Sequence, residues 1–314
     1  MPIFSKASST ILSHLLVASL IFGMMFAGIS RAEETAPATI QVGSISFVPE
    51  KWNKVANADR LEKEIRRAKE AGAELVITPE GMLEGYVVNE VIHEKDPVKK
   101  QELTKRFQEL AEPIEGEFIQ RFQKLAGELK IHLILGFLEA DTESDRTFNT
   151  AALIGPDGKL IGTYHKTHFH QGYEVNPPGY TAGNDYPVYT VKDPKSDREL
   201  KVGMMICFDR QLPEPARQLT LNGADLIACP SYGSWGGWNT RLMQVRAYEN
   251  HAYVVFSHPK QSLLIDRNGE IMQEGTENGF AISTINLDKL EKTRQSVRNR
   301  RPETYQEQPA QKAN

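Results

Sequence analysis

The chain has 314 residues, 40% of them hydrophobic and 25% charged, an ordinary balance for a folded globular protein. Its net charge is −4 and it has no basic block, which argues against nucleic acid as a partner, since that partner calls for a clustered positive field. Two cysteines, Cys207 and Cys229, are too few for a disulfide scaffold.

The N-terminus is a separate object. Lys6 precedes an almost uncharged apolar run from Ile11 to Ile29, followed by Ser30-Arg31-Ala32. A charged start, an apolar centre and small residues three and one before a cut predict a secretory signal over residues 1–32, cleaved before Glu33. A retained membrane anchor is the alternative, because the run is close to spanning length. Cleavage leaves a net charge of about −6, no further long apolar run and so no stable membrane association, and an exported (periplasmic or secreted) protein.

In the remaining chain, alternation over Ala38–Phe47 predicts a strand, and the spacing of Leu61, Ile65 and Ala68 a helix over Asn57–Gly72. Glu74–Thr78 is a strand ending at Pro79-Glu80-Gly81. Asp96–Lys130 holds one or two helices broken near Pro113 and Gly116. Ile131–Leu138 is a strand, and Phe148–Ile154 and Lys159–His165 form a hairpin about Gly155-Pro156-Asp157-Gly158. His168–Asn184 is irregular. Strands are expected over Tyr186–Val191, Leu200–Cys207, Ala224–Ala228, Ala252–Ser257, Ser262–Ile265, Glu270–Gln273 and Phe280–Ile285. Helices are expected over Glu214–Asn222, Asn239–Asn250 and Asp288–Arg294. Helices alternating with more numerous strands make an α/β or α+β layered domain over residues 33–305, with a polar tail over 306–314.

Three strand ends carry chemistry. Cys207 closes an apolar run, where a buried thiol is most often a small hydrophobe but an α/β sheet edge also places its chemistry. Glu80 follows the strand ELVIT, where partial burial raises a carboxylate's pKa and makes it a usable base. Lys166 closes the hairpin strand, where a fixed cation serves a developing oxyanion. One base, one cation and one thiol make a hydrolytic set that needs no metal. A rival reading takes His165, His168 and His170 as zinc ligands.

In chain order, ITPEGMLEGY around Glu80, GTYHKTHFHQGYE around Lys166 and VGMMICFDRQLPEPARQLTLNGADLIACPS around Cys207 resemble the nitrilase superfamily of carbon–nitrogen hydrolases. RAYENHAYVV, SLLIDRNGEI and RRPETY continue the likeness over nearly all of the mature chain. The resemblance implies a four-layer αββα sandwich, a homodimer or larger homo-oligomer, no metal or cofactor, and a Glu80–Lys166–Cys207 catalytic set. It also implies Glu174 as a second carboxylate, the backbone N–H of Phe208 as an oxyanion donor, and a small-molecule amide as substrate. Phe208-Asp209 after the thiol is similar to the amidase and carbamoylase branches, whereas nitrilases proper have Trp-Glu there. Tyr86, Tyr232, Trp235 and Trp238 are candidate pocket residues, the two tryptophans alternatively packing a cap or an oligomer contact. Asp209, Arg210 and Arg246 are read as structural. The expected reaction is hydrolysis of a small linear amide or N-carbamoyl compound through a Cys207 thioester. The alternatives are a nitrile hydrolase, an acyltransferase, or a catalytically silent binding protein on the same fold.

Overall fold

The first apolar alternation becomes strand β1 (Thr39–Ser46). The computed structural model describes residues 37–170, 179–193, 195–196, 198–290 and 295–305; the expected signal over residues 1–32, Glu174 and the polar tail over 306–314 lie outside the described residues. Helix α1 (Lys54–Glu70) starts earlier than its apolar spacing indicates, because Asn53 caps it by accepting from the N–H of Ala56. The short buried strand β2 (Leu75–Ile77) leads to the Glu80 turn. Helix α2 (Val88–His93) has too few residues to show a period in the sequence. Helix α3 (Pro97–Leu110) begins at an Asp96 cap with Pro97 in its first turn, and α4 (Glu117–Leu129) follows the expected break, in which lies β3 (Glu112–Pro113).

Strands β4 (His132–Ala140), β5 (Thr147–Ile154) and β6 (Leu160–His165) complete the first half. The second half runs β7 (Val188–Lys192), β8 (Glu199–Met204), α5 (Pro213–Leu221), β9 (Leu226–Pro230), α6 (Gly237–Asn250), β10 (Tyr253–His258), β11 (Gln261–Ile265), β12 (Ile271–Thr276) and β13 (Gly279–Asn286). One expectation needs correction. Strand β8 stops at Met204, so Cys207 begins a 3₁₀ turn and does not end a strand. The helix expected over Asp288–Arg294 falls mostly outside the described residues; on either side of that segment Leu287–Lys289 is a 3₁₀ turn and Gln295–Arg298 is the short helix α7.

One sheet has the order β13-β1-β2-β4-β5-β6, with β3 on β4; the other has the order β12-β11-β10-β9-β8-β7. Three buried clusters define the layers. Ile40, Val42, Ile134, Leu153, Val202, Met204 and Leu226 meet between the sheets. Leu61, Ile65, Phe122 and Leu125 of α1 and α4 pack on the outer face of the first sheet. Leu219, Met243 and Ala247 of α5 and α6 pack on the outer face of the second. This is the expected αββα sandwich: each sheet is apolar on both faces and needs a partner on each. The inter-sheet layer is not wholly apolar. Ser262 of β11 lies 2.9 Å from the hydroxyl of Ser44 and 2.6 Å from that of Ser46, so polar groups buried there satisfy one another.

Strand direction sets the site. β2 runs parallel to β4, and β4–β5 and β5–β6 are antiparallel, so β6 runs the same way as β2. The segments after β2 and β6 therefore leave the same edge of the first sheet. In the second sheet β8, β9 and β10 are parallel, so the segments after β8 and β9 also leave one edge.

Candidate active site

Glu80 and Lys166 are both fully buried, and Lys166 Nζ lies 3.2 Å from Glu80 Oε1. Asn149 of β5 donates to the same oxygen at 2.7 Å and accepts from Lys166 N–H through its carbonyl at 2.9 Å. Removing two charges from water costs several kcal/mol per ion, so a buried pair is weak as a stabilising device; it is found where chemistry calls for it. The Glu80 turn is seated on β4. Met82 N–H donates to Gly136 O at 2.9 Å, and Gly136 N–H donates to Thr78 Oγ1 at 2.9 Å. A Cβ on Gly136 would overlap the carbonyl oxygen of Pro79, so the turn needs glycine beneath it.

Cys207 stands at a sharp elbow. Its φ is 47°, the left-handed region that a side chain adopts only under strain, and it is 7% exposed. Asp209 holds the elbow. Its carboxylate accepts from Ile206 N–H at 2.8 Å, Tyr164 Oη at 2.7 Å, Thr167 Oγ1 at 3.0 Å and His168 N–H at 2.9 Å, and lies 3.1 Å from His168 Nδ1. Three of these partners flank Lys166 and one immediately precedes Cys207. A single carboxylate thus ties the segment carrying the cation to the elbow carrying the thiol. The bond to Asp209 raises the pKa of His168, while burial and the Asp209 charge push the Tyr164 hydroxyl well above its ordinary value.

Arg210 is 1% exposed and spans from the elbow to the next loop. It donates to Asn239 Oδ1 at 2.6 Å and Ser234 O at 2.8 Å, and its Nη1 is 3.4 Å from Cys207 Sγ. Arg246 donates to the carbonyls of Arg210 and Gln211, in keeping with a structural role. His258 holds the same loop from β10. Burial pushes its pKa down to about 4, so it is neutral, and Nε2 donates to the carbonyls of Tyr232 and Gly233, each at 2.9 Å.

Of the candidate pocket residues, Tyr86 is buried and stacks on Tyr232 at 4.4 Å between centroids. Trp235 is 50% exposed and stacks on His258; Trp238 is 76% exposed on α6. Phe208 lies in the 3₁₀ turn with its ring against His170. The histidines expected as rival zinc ligands part company: His165 meets Glu139 and Phe148, His168 meets Asp209, and His170 meets Phe208. Among the described residues no group of three or more His, Cys, Asp or Glu is placed to hold a metal ion. Neither cysteine is in a disulfide, and burial pushes the Cys229 thiol up to about 12. Sequence reasoning missed Asn149, His258 and a further buried acid, Glu84. Each is a polar residue in or beside an apolar run, a pattern that signals burial with a partner but does not say which partner.

Two back-to-back sheets inside two helical layers, with a strained cysteine elbow at one edge and a buried carboxylate–ammonium pair at another, are the architecture of a nitrilase-fold enzyme. The carbon-nitrogen hydrolase family model matches residues 38–295. The chain is 32% identical over 276 residues to a deaminated glutathione amidase of Synechocystis sp., covering 78% of this chain and 91% of that protein. It is 28% identical over 271 residues to an omega-amidase of Homo sapiens, covering 79% and 91%. A Saccharomyces cerevisiae member of branch 10 of the nitrilase superfamily shares the fold at 23% identity and a TM-score of 0.69, over 85% of this chain and 97% of that one. An amidase variant from Nesterenkonia sp., with the acetamide moiety of fluoroacetamide on its active-site cysteine, shares the fold at 18% identity and a TM-score of 0.66, over 84% and 94%. The chain belongs to the carbon-nitrogen hydrolase family of the nitrilase superfamily, and it is a hydrolase of carbon–nitrogen bonds other than peptide bonds.

Proposed function

We propose that this enzyme hydrolyses small linear amides or N-carbamoyl compounds through a thioester on Cys207. The observation that carries the reading is the fully buried Glu80–Lys166 pair at 3.2 Å, tied through Asp209 to the cysteine elbow. Glu80 takes the thiol proton and the sulfur attacks the amide carbon. Lys166 and the N–H of Phe208 face the oxyanion of the tetrahedral intermediate. Glu80 returns the proton to the departing ammonia or amine. Water, deprotonated by Glu80, then attacks the thioester, and the carboxylic acid and free thiol are regenerated. Glu174 remains the candidate for orienting substrate against Lys166.

An ammonia-release screen over aliphatic amides, N-carbamoyl compounds and nitriles tests this reading. We expect turnover of amides that Cys207→Ala abolishes and Lys166→Ala reduces at least ~100-fold, the usual effect of removing one oxyanion donor. Turnover confined to nitriles, or surviving in Cys207→Ala, overturns it. Iodoacetamide separates an enzyme from a silent binding protein. With a pKa near 12, Cys229 is thiolate in only about 1 molecule in 10⁴ at pH 8, so an activated Cys207 labels far faster.

Export and self-association belong to the same reading. The leader pattern supports cleavage before Glu33, which N-terminal sequencing of the protein from cells checks. The exposed face of α6 supports a homodimer or larger homo-oligomer.

A further inference from the structure

Glu84 takes no part in the reaction above, yet it is 1% exposed in the turn that carries Glu80. One carboxyl oxygen, Oε2, accepts from Leu138 N–H of β4 at 3.0 Å. The other, Oε1, has no hydrogen-bond partner among the described residues. Glu84 makes no ion pair among those residues either. Lys54 of α1, whose charge reaches it, is paired with Glu112 at 2.7 Å. The carboxyl is packed against the Glu80 turn itself. A Cβ on Gly81, the residue after Glu80, would stand 2.7 Å from Glu84 Oε1 and 2.9 Å from the Tyr86 ring, so this turn leaves room for an acid beneath it by using glycine. The turn closes over the acid through the N–H groups of Gly85 and Tyr86, both donating to Gly81 O at 3.0 Å.

A second negative charge in this place would meet only the distant charge of Lys54, already engaged by Glu112, and would repel Glu80. The groups that act most on it are Leu138 N–H, its own N–H, Glu80 and Lys54. We propose that Glu84 is a positioning residue, a buried neutral acid that keeps the negative charge of the catalytic turn on Glu80 and alters the base when it ionises. Burial, reinforced by Glu80, pushes its carboxyl up to about 7, which places that ionisation within the working pH range. Once Glu84 is charged, its negative charge raises the proton affinity of both Glu80 and the Cys207 thiol, so loss of the thiol proton to solvent moves to higher pH. Two interacting carboxyls titrate as a pair, so the effect appears as an extra step in the profile of the site.

This inference rests on Glu80 serving as the base for Cys207, and its test has an arm that requires no amide turnover. The rate of iodoacetamide alkylation of Cys207, and kcat/KM for an amide found in the screen, are measured from pH 5 to 9 in wild type and Glu84→Gln. Glu84→Met, apolar and of similar volume, replaces Gln if that variant does not fold. In wild type both profiles are expected to bend near pH 7. The variant loses that bend, and its main alkylation inflection moves down by about one pH unit, as expected on removing one nearby charge. A merely structural Glu84 would scale the whole profile and leave its shape intact; variant and wild-type profiles of the same shape in both measurements overturn the proposal. If no amide is turned over, the functional reading fails, and the alkylation profiles alone decide the role of Glu84.

Discussion

Asp209 shows how one side chain ties together segments that carry candidate catalytic groups. Its carboxylate oxygens together receive donors from both sides of Lys166 and from the residue before Cys207, and all of them are drawn to negative charge. Asn in its place keeps one acceptor and turns an NH₂ toward groups that also donate. We expect Asp209→Asn to lose about 3 kcal/mol of stability, the usual cost of breaking a buried charged network, and to lose most activity at temperatures where it remains folded. Urea unfolding beside ammonia release measures both; wild-type values in each would remove Asp209 from this role. His168 adds a pH signature. Its folded pKa is raised above its unfolded value near 6.5, so the stabilisation is complete below pH 6.5 and is lost as pH rises through the folded value. Stability should therefore decline on the alkaline side of pH 6.5, and His168→Gln should flatten that decline in denaturation curves taken at successive pH values.

At the scale of elements, the approach of the Glu80 turn to β4 is a tight contact that the site depends on. Gly136 lies in the middle of β4, where glycine is normally unfavourable, and the Pro79 carbonyl fills the space a side chain would take. Gly136→Ala forces the turn away from the strand. The expected loss is about 1–3 kcal/mol, typical of overpacking, together with a fall in kcat because Glu80 moves with the turn. Thermal unfolding and steady-state kinetics follow the two effects; an alanine variant with unchanged kcat would show that Glu80 tolerates the displacement. The same contact explains why β2 is so short. Its strand pairing gives way after Ile77 to a turn bonded to Ile134, Gly136 and Leu138.

At the scale of the whole molecule, an apolar stripe among the described residues faces solvent. Along α6, Trp238 is 76%, Val245 49% and Tyr248 69% exposed, at spacings that put them on one face of the helix with Arg241. An exposed apolar stripe of this kind commonly marks an interface, and a self-complementary patch makes a two-fold dimer. Trp238→Glu combined with Tyr248→Glu should shift the protein toward monomer by light scattering behind size exclusion, while leaving thermal stability at low concentration near that of wild type. A wild-type protein that is monomeric at micromolar concentration would contradict an interface here. Among the described residues no helix is long and apolar enough to cross a membrane.

Much of this was legible in the chain of residues. Periodicity placed most strands and helices, because alternation and 3.6-residue spacing record which face is buried. The order of the Glu80, Lys166 and Cys207 blocks identified the family and the layered fold. Glu174 lies outside the described residues, so its expected place beside Lys166 stands as proposed. Other features depended on contacts between segments far apart in sequence. The end of β8 at Met204 was hidden because the apolar run continues into the elbow, where buried residues need not be strand. Asp209 looks like any turn acid until Tyr164, Thr167 and His168, at the end of β6 in the first sheet, are packed against the elbow after β8 in the second. Glu84 looks like a solvated turn residue until β4 covers it, and His258 until the loop after β9 folds over it. Sequence by itself determined most elements and the family and singled out Glu80, Lys166 and Cys207 as candidate reactive groups, since these follow from local pattern and motif. Only the tertiary structure decided that Lys166 lies against Glu80, which carboxylate holds the elbow, and that a second acid is buried beneath the Glu80 turn, since burial and charge coupling arise between strands that the chain separates by tens of residues.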